Sequence, residues 1–154
     1  MSRFLVFIAF QILMPSLEAQ RYRNPQAIPC SEFNNQKRKI DQKTLLYLEA
    51  SVKGDEPRRI AKYHELVLEQ LQESKRDLER VGPYEDYEIL KREYTNALDQ
   101  LITAYKKDFG VAEELRENKY DSYEDLKKYY DAVTEAKGKM YDATYAMEKA
   151  EDHL

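Results

Sequence analysis

Between Pro57 and Pro83 the chain repeats itself every seven residues on two tracks. Ile60, Val67, Ser74 and Val81 form one; His64, Leu71 and Leu78 form the other, four residues further on. Alternating steps of four and three put these side chains on one stripe of an α-helix. A two-position stripe of that period belongs to helices packed nearly parallel or antiparallel to one another. Such a helix cannot bury its stripe alone, so the rest of the chain must supply partners of the same kind.

It does. Phe33, Ile40 and Tyr47 recur seven apart and are joined by Leu48 and Val52, with Ser31 as the expected N-cap and Gly54 as the stop. Asp55-Glu56-Pro57 reads as the start of the next helix, with Asp55 capping and a proline in the first turn. Gly82-Pro83 ends it. Tyr87, Leu90, Tyr94, Ala97, Leu101 and Ala104 then alternate steps of three and four. Asp108 falls where the next seam residue belongs, and Phe109, Ala112 and Leu115 continue with a shifted phase. This third helix is expected to run past Gly110 to about Asn118, with a stop at Gly110 and a separate short helix as the alternative. Ser122 and Asp125 resemble a capping box that opens a fourth helix. Leu126, Tyr129, Tyr130, Val133, Ala136, Met140, Thr144 and Met147 share its face, with Leu126, Val133 and Thr144 at the centre. The expected fold is all-α: an antiparallel up-and-down bundle of three to four long helices, spanning residues 31–154. The four glycines, at 54, 82, 110 and 138, lie 28 apart. A duplication would produce that spacing, but the blocks between them share little else.

The N-terminus bears on compartment. Met1-Ser2-Arg3 is followed by the apolar run Phe4 to Met14, then Pro15 and a small residue, Ala19, before Gln20. This is the layout of a secretory signal peptide over residues 1–19. The rival, a membrane anchor, needs about 20 apolar residues and finds too few. Residues 20–30, with two prolines, are expected to form an extended leader. The chain is thus expected to be secreted and extracellular, with no membrane span. The final Glu-Asp-His-Leu holds the letters of a retention signal in an order its receptor would not read.

Charge and motif content exclude several functions. The net charge is −4 with both signs interspersed, so nucleic acid finds no basic face. No nucleophile elbow or phosphate-cradling glycine loop occurs. The two histidines, His64 and His153, lack the Glu-x-x-His spacing of a di-iron bundle. Glu113, Glu114 and Glu117 read as a solvated helix face. No catalytic residue, cofactor site or metal site is expected.

Two features remain. The mature chain holds thirteen tyrosines and no tryptophan. Tyr130, Tyr141 and Tyr145 of the fourth helix are read either as a structural margin covering the seam or as an aromatic patch for a partner. Tyr84 to Glu88 and Asp121 to Asp125 are acidic tyrosine stretches, read as helix starts or as sulfation substrates. Cys30 is the single cysteine, so an internal disulfide is excluded. An intermolecular bond giving a homodimer is the leading expectation, against a buried thiol or a small-molecule cap. Together these point to a secreted, non-enzymatic protein that presents helix faces to an unidentified extracellular protein. The alternatives are a carrier of lipid or a small apolar ligand, and a cross-linked structural component.

Overall fold

The computed structural model describes residues 27–82 and 87–151, with side chains from Ser31 onward. Helix α1 spans Ala27–Lys53 and α2 spans Pro57–Arg80. Helix α3 covers Glu88–Thr103 and passes through a π-helical segment, Ala104–Phe109, into α4, Gly110–Arg116. Helix α5 spans Tyr123–Glu151. Since α3, the π segment and α4 form one rod, the architecture is an antiparallel up-and-down bundle of four helices, and no strand occurs among the described residues.

The turns follow from local chemistry. Gly54 ends α1 at φ +71°, a conformation that a Cβ would strain. Pro57 takes the first position of α2, where its missing N–H costs nothing. The cap is Glu56 rather than the expected Asp55, which instead pairs with Arg59 at 3.4 Å. Ser122 and Asp125 form half of the predicted capping box: the Asp125 N–H donates to Ser122 Oγ at 3.1 Å, while the Asp125 carboxylate accepts from the Ser122 hydroxyl at 2.6 Å rather than from the Ser122 backbone N–H. Leader and helix meet differently from the expectation. The chain is already helical at Ala27, so Ser31 is inside α1 and Cys30 lies on a helical turn rather than in an extended leader. Pro29 is compatible with this because it sits near the start of α1, where an N–H has no intrahelical acceptor. The signal-peptide segment, residues 20–26 of the leader, the Tyr84–Asp86 stretch and His153 lie outside the described residues.

The seams meet in one core. Phe33, Ile40 and Tyr47 are buried, as are Ile60, Val67, Ser74, Leu71 and Leu78. Val52 departs from the expected seam: it points outward and is 80% exposed. Two contacts set the α1–α2 register. Ser74 Oγ donates to Gln36 Oε1 at 2.8 Å near one end, and the Tyr47 and His64 rings lie 5.4 Å apart near the other. Ser74 and Gln36 are completely buried, and Gln70 donates to Ser74 while Gln36 donates to Glu32 and Asp77. The polar member of the α2 seam is thus one link of a satisfied network, which a buried polar group requires.

The phase shift after Ala104 has a structural cause. A π turn takes in one more residue than an α turn. It carries Asp108 off the core seam to a partly buried pairing with Lys139 of α5 and delivers Phe109 to the core, where it is 3% exposed. The continuous reading of this rod past Gly110 holds, and the π segment accommodates the change of phase within it.

Candidate functional site

Three places on the bundle concentrate chemistry or exposed area: the outer side of α5, the polar cluster around the π segment, and a groove between α3 and α5.

The outer side of α5 is shaped by alanine. Ala136, Ala143 and Ala150, seven apart, are all fully buried together with Tyr129, Met140 and Met147. Counted antiparallel from the Lys139–Asp108 ion pair, Ala143 falls level with Ala104 and Ala150 with Ala97, both buried on the rod. Small residues on both sides let the two backbones approach, so the alanine face turns inward. Leu126, Val133 and Thr144, expected at the centre of the buried stripe, are only half-buried on its flank. At 100° per residue the buried face is rotated roughly 70° from the expected one. The tyrosines move outward with that rotation. Tyr130, Tyr141 and Tyr145 are 59%, 65% and 60% exposed, and Tyr123 is 81% exposed. They lie along one side of the helix from its first turn to within two turns of its end. Lys149 stands over the Tyr145 ring at 5.7 Å, and Tyr130 meets the buried Tyr129 edge-on at 5.5 Å.

The polar cluster joins α1, α2, the π segment and α4. The Tyr47 hydroxyl donates to Glu113 Oε1 at 2.7 Å, and Arg116 donates to the same oxygen at 3.2 Å. Arg116 Nε lies 3.2 Å from Glu113 Oε2, close enough for charge attraction but not aligned as a hydrogen bond. His64 Nε2 lies 2.8 Å from the Tyr105 carbonyl; a carbonyl only accepts, so this nitrogen carries the proton. Tyr105 stacks on Phe109 at 4.9 Å and meets Tyr47 edge-on at 5.8 Å. Burial pushes the Tyr47 phenol well above its ordinary value, and the Glu113 carboxylate adds to the shift. Burial also raises Tyr105, to about 12. Both hydroxyls therefore stay protonated at neutral pH. Carboxylate, guanidinium and imidazole are each engaged with a neighbour in the fold, so the cluster ties three helices together.

Glu113 thus leaves the solvated face that sequence spacing assigned to it, whereas Glu114 and Glu117 remain exposed. No sequence signal marks Glu113 off from its neighbours. Its partner Tyr47 lies 66 residues away and only the bundle brings them together.

The groove, of about 550 Å³, runs beside the π segment and is lined by Asp99, Gln100, Thr103, Ala104, Lys107, Asp108, Lys139 and Asp142. Lys75 bridges to Asp99 at 2.6 Å, and Lys139 pairs with Asp108 and, at 2.9 Å, with Glu135. Five of its eight lining residues are charged, although more of the lining surface is carbon than polar. Among the described residues no group of three or more His, Cys, Asp or Glu side chains is placed to hold a metal ion. No helix of the described residues is long and apolar enough to cross a membrane. Cys30 lies on the first turns of α1, and Tyr130, Tyr141 and Tyr145 lie on α5.

Comparison with protein-family models, with curated proteins and with solved structures finds no match to this chain.

Proposed function

We propose that the chain is exported and acts without catalysis, by presenting the outer face of α5 to a protein partner. The observation that supports this reading is the exposure of Tyr123, Tyr130, Tyr141 and Tyr145 along one side of a helix whose opposite side is buried. Tyrosine offers large contact area with few rotatable bonds, and it is enriched where proteins grip one another. Single exposed aromatics need no explanation, but four on one face amount to an unpartnered patch. The apolar run Phe4 to Met14 supports export. The groove gives the lipid-carrier alternative little support, because it is open to solvent and five of its eight lining residues are charged, whereas an apolar ligand calls for an enclosed apolar pocket.

The test is expression of the full chain in a secreting host. The expected product is a medium-borne protein beginning at Gln20 that cross-links to protein through a photoreactive residue at position 141. The same protein should not float with liposomes or displace a fluorescent fatty acid at micromolar concentration. Retention in the cell, or micromolar lipid binding, would reject this reading.

A further inference from the structure

Six residues of the exposed α5 face are placed symmetrically about its midpoint. Counting outward from the peptide bond between Glu135 and Ala136, Tyr130 and Tyr141 lie at equal distances on opposite sides. So do Leu126 and Tyr145, and so do Tyr123 and Glu148. With Thr134 and Lys137 between them, the steps along this face run three or four throughout, in the same order from either end. The four tyrosines among them are the exposed ones, Glu148 is exposed and Leu126 half-buried.

That arrangement fits one kind of occupant. A two-fold contact is isologous: residue i of one copy meets j of the other while j meets i. An antiparallel pair of α5 helices with its axis at the midpoint brings Tyr130 against Tyr141 twice. It also brings Leu126 against Tyr145 and the Tyr123 hydroxyl against the Glu148 carboxylate. Thr134 and Lys137, astride the axis, meet each other, so Lys137 does not face its own copy. A parallel pair would instead set each Lys137 and each Glu148 beside its own equivalent, which like-charge repulsion disfavours.

The area is sufficient. A buried aromatic covers about 150–250 Å². Four tyrosines exposed by three-fifths or more therefore offer roughly 500 Å² per copy and about 1,000 Å² for the pair, at the lower edge of specific interfaces. We infer that the partner seated on this face is a second copy of the chain, docked antiparallel through α5 as a reversible, micromolar homodimer. This rests on the reading of the α5 face as a protein-binding surface and names its occupant.

The test uses the mature chain carrying Cys30→Ser, which removes any disulfide contribution. Sedimentation should show a concentration-dependent dimer. Tyr130→Glu with Tyr141→Glu, which would oppose carboxylates across the axis, should weaken association by about tenfold or more while leaving helicity intact. Orientation is read separately. Chains bearing Tyr130→Cys alone or Tyr141→Cys alone should stay unlinked on oxidation, and an equimolar mixture should cross-link. A chain that stays monomeric at high micromolar concentration, a doubly charged variant that dimerises normally, or cross-linking of either cysteine variant by itself would overturn the proposal. Cross-linking of position 141 to a different protein, with the chain itself monomeric, would overturn the homodimer and leave the protein-binding reading standing.

Discussion

The Tyr47 hydroxyl donates to the Glu113 carboxylate at 2.7 Å, tying the last turns of α1 to the short helix beyond the π segment. The oxygen it reaches also accepts from Arg116. This contact carries a prediction: Tyr47→Phe should fold and lose about 1–2 kcal/mol, since a hydrogen bond to a charged group is removed while the ring remains. Denaturant unfolding with the Glu113→Gln double-mutant cycle measures the coupling. A loss near zero would mean that the bond is not formed in solution.

Ser74→Ala should cost about 1–3 kcal/mol, because Gln36 Oε1 and the Gln70 amide both lose a partner in the interior. Equilibrium unfolding in urea reads the change. Leu71→Ala, at a position with no exposure, should cost about 2–4 kcal/mol by leaving a cavity.

Deleting Lys107 should be tolerated. Lys107 is exposed within the π segment, and its removal converts one π turn to α while moving Phe109 into the seam position that follows Ala104. Deleting Gln100, in the regular α-helical part of the rod, should instead turn every later residue about 100° off the core and abolish cooperative unfolding. Circular dichroism melts of the two variants separate these outcomes.

Ala143→Leu should destabilise by about 1–3 kcal/mol or more, because the side chain would enlarge into the buried α3–α5 contact level with Ala104. Tyr141→Ala, on the outer side of the same helix, should change the stability of the monomer, measured at submicromolar concentration, by less than about 0.5 kcal/mol. Thermal unfolding of both variants tests the orientation of α5 directly.

Stability should fall at high pH. Burial raises Tyr105 to about 12 and moves Tyr47 and Tyr94 upward as well, while a phenol of the unfolded chain ionises near 10. Above about pH 10 the unfolded state releases protons that the folded state keeps, so stability present below that pH is lost as pH rises through the folded-state values. Phenolate absorbance should therefore rise in two stages. The later stage, from Tyr47, Tyr94 and Tyr105, should coincide with loss of helicity. A single stage with helicity unchanged would contradict the burial of these three rings.

The helical class, a count of three to four helices and most of the core were legible because seven-residue spacing is a local property. Phe33, Ile40 and Tyr47, and Ile60 through Leu78, could pack only along the stripes their spacing defines. The change of phase after Ala104 was legible too, although not its cause, since a π turn is a backbone event that spacing records only as one added residue.

What only the tertiary structure decided was which way α5 faces. Judged alone, that helix buries best through Leu126 and Val133, because they carry more apolar area than alanine. In the bundle the separation between helices matters as much as area. Ala136, Ala143 and Ala150 are buried against a rod that itself buries Ala97 and Ala104, and with these small residues inward the helix is turned by roughly a fifth of a circle from the expected face. Glu113 was hidden for a related reason: its partners lie on another helix, and distance along the chain carries no trace of them. Local periodicity determines that a helix has a buried side. Which of two competing sides wins depends on the shape of the surface it meets, and that surface exists only after the other helices have folded.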